Sequence, residues 1–269
     1  VKVGLEPIKE SDWLEIDDLF NSEIELKKDL YDSHFNDIHK EVKESYESQV
    51  ELLDVLETHL EQYHPNHKIT SVADSLPLKN ASLMVQEDLV LMLPRGEEYF
   101  LGAASLCAPS NWSLKEKFKS SLVGLHVHVP TYEKKIGSTV NNLFNNLPME
   151  RIFQRFNWSV YEDPKLFQPA RSKSQIERSR TITEDNAGDR LYIRVERQTI
   201  RRLPETKAIV FTIRVHVNPL LSIKKDLSLL TDLDQALENL TQDMKKYKSI
   251  DQIEVPLRGW LEKEIKNFG

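Results

Sequence analysis

The sequence predicts an α+β fold with a mostly antiparallel sheet of five to six strands and helical flanks at both ends. Between Asp12 and Gln62, and again after Ser222, apolar residues recur at steps of three and four, which is typical of amphipathic helices. Between these regions, short runs rich in β-branched and aromatic residues are separated by polar turns, which is typical of strands. Helices, then a group of strands, then helices indicate an α+β fold.

The N-terminal part predicts two helices. A short helix fits Asp12 to Leu30, and a longer one starts near Phe35, with an apolar stripe that ends at Leu60. Pro65 ends it, because proline lacks an N–H and disfavours helical geometry at the residue before it. Three histidines fall around this end, where they form either a metal cluster or, more commonly, favourable charges at a helix C-terminus. They are His59, His64 and His67.

The central part predicts the strands and their connections. A hairpin is expected where two apolar runs flank a turn over residues 94–98. The run LVGLHVHVP, residues 122–130, fits a strand, and a helix follows over residues 132–147. Residues 164–189 form a polar insert that we expect to be a mobile loop. The remaining strands are RIFQRFNWSVY, LYIRVERQ and AIVFTIRVHVN, the last two forming a hairpin.

The length of 269 residues fits one domain with helical flanks. We expect residues 1–70 to be a helical extension packed on the core, residues 71–220 to be the core, and residues 221–269 to complete the same domain with helices. A net charge of −7 argues against a nucleic-acid partner. No apolar run is long enough to cross a membrane, and the first residues lack the apolar region of a signal peptide.

The number of cysteines limits the kinds of site that the chain can form. With one cysteine, Cys107, the chain forms no internal disulfide and no Cys-ligated metal cluster, which fits a reducing, cytoplasmic setting. Cys107 lies in the apolar run LGAASLCAP and is expected to be inert packing rather than a nucleophile. The eight histidines therefore hold most of the metal-binding capacity.

Strand alternation separates residues into two faces of the sheet. Arg197 is in phase with the apolar Ile193 and Val195. If it is buried there, its guanidinium needs a carboxylate, a run of carbonyls or an anionic ligand; if the strand ends first, it lies in solvent. His216 falls on the polar side of its strand, which predicts a solvated or helix-covered position rather than a cofactor pocket.

An HxH pair is the strongest candidate for a metal or cofactor site. His126 and His128 share one side of the predicted strand with Gly124, which has no side chain. They fit either two ligands of one non-haem metal or a single axial ligand with a neighbour. Strands often carry polar residues on one side, so the pair alone does not decide between a site and a solvated face.

Several blocks in one order carry a family resemblance. They are VQEDLVLM, CAPSNW, LHVHVP, RFNWSV and RVERQTIRRLP followed by IVFTIRVHVNPL, with DW at Trp13 and YK at Tyr247 and Lys248. This series resembles the α-subunit-like family of haem-dependent oxidative N-demethylases. The resemblance implies a PAS-like antiparallel sheet that holds haem b. It also implies a monooxygenase-type subunit that uses dioxygen to oxidise a methyl group of a small secondary amine such as dimethylamine, with release of formaldehyde. Electrons would come from a separate flavin and iron–sulfur reductase.

The resemblance also implies roles for individual residues. His126, four residues before Pro130, fits the family's axial ligand to the haem iron, whereas His128 is a departure that leaves a second ligand, a distal donor or no role open. No catalytic acid or base can be matched. The alternatives are a PAS-like sensor or binding protein without turnover and a non-haem metal site at the two histidines. Candidates for pairing with the haem propionates are Arg155, Asn157, Arg197 and Arg202.

Overall fold

The structure is a computed structural model that describes residues 4–67, 75–96, 98–125 and 142–268. In these ranges the strands form one antiparallel sheet of seven. In chain order they are β1 (Glu6–Ile8), β2 (His39–Glu41), β3 (Asp88–Arg95), β4 (Glu98–Ser105), β5 (Ile152–Tyr161), β6 (Tyr192–Arg202) and β7 (Ile209–Pro219).

The strand order across the sheet is β1-β5-β6-β7-β3-β4-β2, which confirms the α+β class and the antiparallel sheet. The sheet exceeds the expected five to six strands because β1 and β2 add to its two edges. Each has only three residues, and both come from the N-terminal part, where helices were predicted. Short edge strands of this kind limit the unpaired backbone that a sheet exposes.

Helices precede and follow the sheet, as predicted. The C-terminal helices begin after β7 and cover the periodic segment from Ser222 onward. The described helices are α1 (Phe20–Ser33), α2 (Phe35–Ile38), α3 (Tyr46–Tyr63), α4 (Pro77–Ser82), α5 (Leu114–Lys117), α6 (Leu122–Leu125), α7 (Lys173–Ser179), α8 (Ala187–Arg190), α9 (Leu227–Glu238), α10 (Gln242–Tyr247) and α11 (Glu254–Lys266).

The single long helix predicted from Phe35 is wrong. The chain leaves the helix after Ile38, forms β2, and becomes helical again at Tyr46. The reason is a pairing distant in sequence: β2 runs antiparallel to residues 103–105 of β4 and completes that edge of the sheet. The end of α3 at Tyr63 agrees with the prediction.

Two other local predictions need correction. The expected mobile loop over residues 164–189 contains α7 and α8, and Ser172 caps α7 in a box with Gln175 that satisfies backbone N–H groups at the helix start. The predicted strand over residues 122–130 is wrong at its start, because residues 122–125 are helical. The rest of that run and most of the helix predicted over 132–147 lie outside the described residues; of that helix, residues 142–145 are described and are helical.

The sheet has two differently covered faces, which we call front and back. The back face carries Leu89, Leu91 and Val210, which pack with α3, α4 and the fully buried Trp13. The front face carries Val90, Ile200 and Ile213 and a second apolar cluster. The C-terminal helices pack around a third cluster that includes Val160 of β5 and Trp260 of α11. Among the described helices, none combines the length and the apolar character needed to cross a bilayer.

Candidate functional site

An apolar row crosses the front face. Phe153 pairs with Ile200, Ile200 with Phe211, and Phe211 with Val90, so side chains from four neighbouring strands point to the same side. Val90 and Ile200 are buried, whereas the two phenylalanines are only partly buried. The row therefore presents aromatic surface that the described residues do not fully cover.

Polar rows follow directly beside the apolar one. Arg155 pairs with Gln198, and in the next row on this face Asn157 pairs with Glu196. Arg155 and Asn157 are half-buried, and Glu196 is buried. The front face thus changes from aromatic side chains to hydrogen-bonding side chains within two rows of paired residues.

Glu196 is the centre of a buried hydrogen-bonded group that we call the Glu196 cluster: Glu196, Gln198, Asn157, Ser110 and Lys248. Gln198 Nε2 donates to Glu196 Oε2 at 2.7 Å and Asn157 Nδ2 to the same oxygen at 3.2 Å. The hydroxyl of Ser110 donates to the other carboxylate oxygen. Three donors therefore hold this carboxylate, as a buried charge requires.

Lys248 reaches the cluster from the end of α10. Its Nζ donates to Asn157 Oδ1 at 2.8 Å and to the carbonyl of Trp158 at 2.6 Å. Burial lowers the pKa of Lys248 to about 8; Glu196 acts in the opposite direction, and the positive charge of Arg155 lowers the pKa further. Arg155 is therefore close enough to Lys248 to affect its charge. A cation with a shifted pKa on a partly covered face marks a candidate functional site.

Arg194, on β6 like Glu196, supports the Glu196 cluster. It is buried, and it donates to Ser110 Oγ at 2.9 Å and to the carbonyls of Ala108 and Leu166 at 2.8 and 2.9 Å. These bonds fix Ser110, which in turn bonds Glu196. Arg194 is thus a structural support of the cluster, since its donors point to protein oxygens.

The four predicted propionate partners do not converge. Arg155 and Asn157 lie in adjacent rows of the front face. Arg202 is at the far end of β6 on the same face, where it pairs with Ile209. Arg197 is on the back face beside Arg214.

Backbone carbonyls bind the donors of the two separate arginines. Arg197 is buried, and it donates to the carbonyls of Trp13, at 3.1 Å, and Asp12. Two of its three predicted partners are therefore present, the run of carbonyls and the carboxylate of Glu15, whose Oε1 lies 3.5 Å from Arg197 Nε, and the solvent-exposed alternative is wrong. Arg202 donates to the carbonyls of Leu147, at 3.1 Å, and Phe144. Both arginines stabilise chain connections in this structure.

The predicted axial ligand, His126, and its neighbour His128 lie outside the described residues. Leu125, the residue before His126 in the sequence, packs against the apolar cluster of the front face. On the far side of the gap, Phe144 is buried in that same cluster. The described residues on the two sides of the gap over 126–141 therefore contact the face that carries the aromatic row and the Glu196 cluster.

The described histidines give no competing metal centre. His59 is buried against Trp13 rather than at the surface, and within the described ranges no three His, Cys, Asp or Glu side chains converge on one metal position. His216 bonds Glu15 Oε2 at 2.8 Å on the back face, away from the front-face rows, as its strand phase predicted. Cys107 is buried, and burial raises the pKa of its thiol to about 12, which agrees with inert packing.

The chain also matches a known protein family. The family described as haem-dependent oxidative N-demethylase, alpha subunit-like, matches residues 4–257. The chain belongs to this family. The family description indicates haem-dependent oxidative chemistry, and the term alpha subunit implies a partner chain.

The front face of this N-demethylase family member fits a haem on the residues that are described. A haem needs an apolar wall for its macrocycle and cationic or hydrogen-bonding groups for its propionates. Phe153 and Phe211 supply partly buried aromatic surface, and Arg155, Asn157 and Lys248 lie beside it on the polar side.

Sequence reasoning did not find the Glu196 cluster. Alternation placed Glu196 and Gln198 on one side of β6, but gave no reason to single them out. Ser110 and Lys248 are 86 and 91 residues away from their partners Glu196 and Asn157, so no local pattern connects them. Of its members, only Asn157 was named as a candidate; the others lie within the blocks CAPSNW, RVERQTIRRLP and YK, which carried the family resemblance but assigned them no role.

Proposed function

We propose that this chain is a haem-binding oxygenase subunit that oxidatively removes a methyl group from a small secondary amine such as dimethylamine. The observation that carries the proposal is the match to the haem-dependent N-demethylase family over residues 4–257. The products would be formaldehyde and the demethylated amine, with dioxygen as the oxidant. A separate flavin and iron–sulfur reductase would supply the electrons, since a chain with one cysteine holds no Cys-ligated cluster of its own.

The proposed cofactor is haem b, and His126 would be the residue that holds its iron. Its support is the LHVHVP block and the packing of Leu125 on the front face. When bound, the haem supplies the electron-transfer and dioxygen chemistry that protein side chains lack. The role of His128, as second ligand, distal donor or neither, stays open in this proposal.

The chain's own residues would bind and orient the cofactor. Phe153 and Phe211 would pack against the macrocycle and exclude water from it. Arg155, Asn157 and Lys248 would bind the propionates, and Glu196 would hold Asn157 and Lys248 in position through the hydrogen bonds of its cluster. Arg197 lies on the back face and Arg202 at the far end of β6, so both are assigned to stability instead.

The absorption spectrum of the purified chain from haem-sufficient cells tests the cofactor. We expect a Soret band that is lost or shifted in His126→Ala and unchanged in His34→Ala, an exposed histidine on α1's C-terminal side. No Soret band, or the same band in both variants, would contradict the proposal.

Turnover is tested separately with dimethylamine, dioxygen and a surrogate electron donor. Formaldehyde that forms with the wild type and not with His126→Ala supports the demethylase. Tight haem binding without formaldehyde would instead identify a haem sensor, and iron without haem would identify a non-haem site at His126 and His128.

A further inference from the structure

A cavity of about 570 Å³ lies at the end of the sheet where the turn between β3 and β4 meets the start of α3. Its volume is in the range of small-molecule binding sites, roughly 300–1,000 Å³. Val42, Leu93 and Phe100 form its apolar part. Leu93 and Phe100 pair across the hairpin and belong to the back-face core, so this cavity is separate from the front-face site.

Four charged side chains of opposite sign line the cavity. Arg95 and Lys119 are the cations, and Glu44 and Glu47 are the carboxylates. All four are exposed, and within the described residues none of them forms an ion pair or a side-chain hydrogen bond. Opposite charges around one cavity that do not pair with each other leave both signs available to a ligand.

The two cations contact neighbouring aromatic rings, and these contacts do not use their hydrogen-bond donors. The guanidinium of Arg95 stacks over the ring of Phe100, 3.8 Å from its centroid, which leaves the donors at its edge directed outward. The backbone N–H of Lys119 donates to the carbonyl of Leu101 at 3.1 Å and fixes this residue against β4. The Arg95 guanidinium therefore has a defined orientation at the cavity wall, and the backbone of Lys119 is fixed beside it.

We propose that this cavity binds a small zwitterion, in which an ammonium and a carboxylate are joined by an apolar chain. Arg95 and Lys119 would bind the carboxylate, since guanidinium and ammonium groups form charge-assisted hydrogen bonds with carboxylates. Glu44 and Glu47 would bind the ammonium, and the apolar part of the cavity would contact the methylene chain. The proposed ligands are therefore amino acids. Their ammonium and carboxylate must be separated by about the distance between the Arg95 and Lys119 pair and the Glu44 and Glu47 pair.

Binding by the full-length protein is measured by calorimetric titration with a series of ω-amino acids: 4-aminobutanoate, 6-aminohexanoate and 8-aminooctanoate. Hexanoate and hexylamine carry one charge each and serve as matched ligands. We expect one member of the zwitterion series to bind at least about tenfold more tightly than either singly charged compound, because only a zwitterion uses both pairs.

Charge-neutralising variants locate the binding. Arg95→Gln and Glu47→Gln should each weaken the binding of the best zwitterion about tenfold. Lys115→Gln and Glu57→Gln remove equally exposed charges that do not line the cavity, and they should leave the affinity unchanged. All four positions are exposed, so unchanged thermal unfolding is the check that the fold is retained.

Three results would overturn the proposal. They are the absence of saturable binding for every zwitterion up to about 10 mM, equal binding of hexylamine or hexanoate, and an equal loss of affinity in the cavity variants and the control variants. None of these measurements depends on haem, so the demethylase proposal is tested independently.

Discussion

Arg197 ties the N-terminal segment to the back face of the sheet by donating from Nη1 to the carbonyl of Trp13, 3.1 Å away. The two residues are 184 positions apart in the chain. Trp13 is fully buried, and its indole N–H donates to Thr199 Oγ1 at 3.2 Å on the same strand as Arg197. Arg197 and Trp13 thus help to anchor a segment that contributes only the three-residue β1 to the sheet, together with the ion pairs of Glu10 with Arg201 and Asp17 with Arg214.

Replacing Arg197 with methionine should destabilise the protein by about 3 kcal/mol, since a buried carbonyl that loses a charged donor is left unsatisfied. Arg197→Lys keeps the charge but loses the forked geometry, so we expect a smaller loss. Urea unfolding measures both. Arg180→Met, at an exposed position, should change stability by less than about 0.5 kcal/mol. Equal effects at Arg180 and Arg197 would contradict the anchoring role.

Glu15 should make the back face sensitive to acid. The hydrogen bond with His216 lowers the pKa of Glu15 from its ordinary 4.5, and Arg197 contributes in the same direction against the effect of burial. A carboxylate with a lowered pKa stabilises the folded state above its unfolded pKa, and this contribution is lost as the pH falls through the folded pKa.

The expected result is that Glu15→Gln is less stable than the wild type at pH 7. The difference stays below about 1 kcal/mol, because Glu15 is partly exposed and solvent screens its charge. It should shrink towards zero as the pH falls below 4.5. The check is urea unfolding between pH 3 and 7 with Glu61→Gln, an exposed carboxylate on α3, as control. A difference that is constant over this range would refute the ionic contribution.

The faces of the strands could be predicted from the sequence because side-chain alternation is local. It placed Arg197 with Ile193 and Val195 and put His216 on the non-pocket side, and both placements agree with the structure. Alternation could not decide whether Arg197 binds a run of carbonyls or an anionic ligand, because Asp12 and Trp13 are distant in sequence.

Contacts between residues that are distant in sequence also explain where the sequence predictions failed. The apolar residues near Ile38 and Val42 have helical spacing, yet β2 forms there because β4 offers a free edge. Lys248 joins the candidate site only because α10 ends beside β5. Contacts of this kind form only in the assembled sheet. The order of the motifs could therefore suggest the family, but it could not predict the Glu196 cluster.

Gly188 should not tolerate even alanine. A Cβ at this position would lie 2.7 Å from Nε1 and 2.9 Å from Cε2 of Trp260, a buried and rigid ring. We expect Gly188→Ala to destabilise the protein by about 1–3 kcal/mol and to shift the tryptophan fluorescence, because the indole must move. In Gly259→Ala the new methyl group lies 2.9 Å from Oε2 and 3.0 Å from Cβ of Glu184, which is exposed on a surface turn and can shift more easily than the Trp260 ring, so we expect a smaller loss. Similar losses in the two variants would contradict the packing argument.

Lys248 should make haem binding dependent on pH. Burial lowers the pKa of Lys248 to about 8 in the haem-free chain, so its ammonium loses its proton as the pH rises above that value. Propionates bound beside it would favour the charged form and raise this pKa again. Haem binding must then take up a proton above pH 8, and the affinity should fall by up to about tenfold per pH unit between the two pKa values.

Haem titrations followed by absorbance at pH 7 and pH 9.5 measure this effect. In Lys248→Met the slope should vanish, and the affinity at pH 7 should be weaker than that of the wild type because one propionate partner is absent. Lys246→Met, at an exposed position on the same helix, should retain the wild-type slope. Alkaline changes at the iron affect all three proteins alike, so the comparison isolates Lys248. A slope that persists in Lys248→Met would remove this lysine from the proposed propionate site while leaving haem binding itself intact.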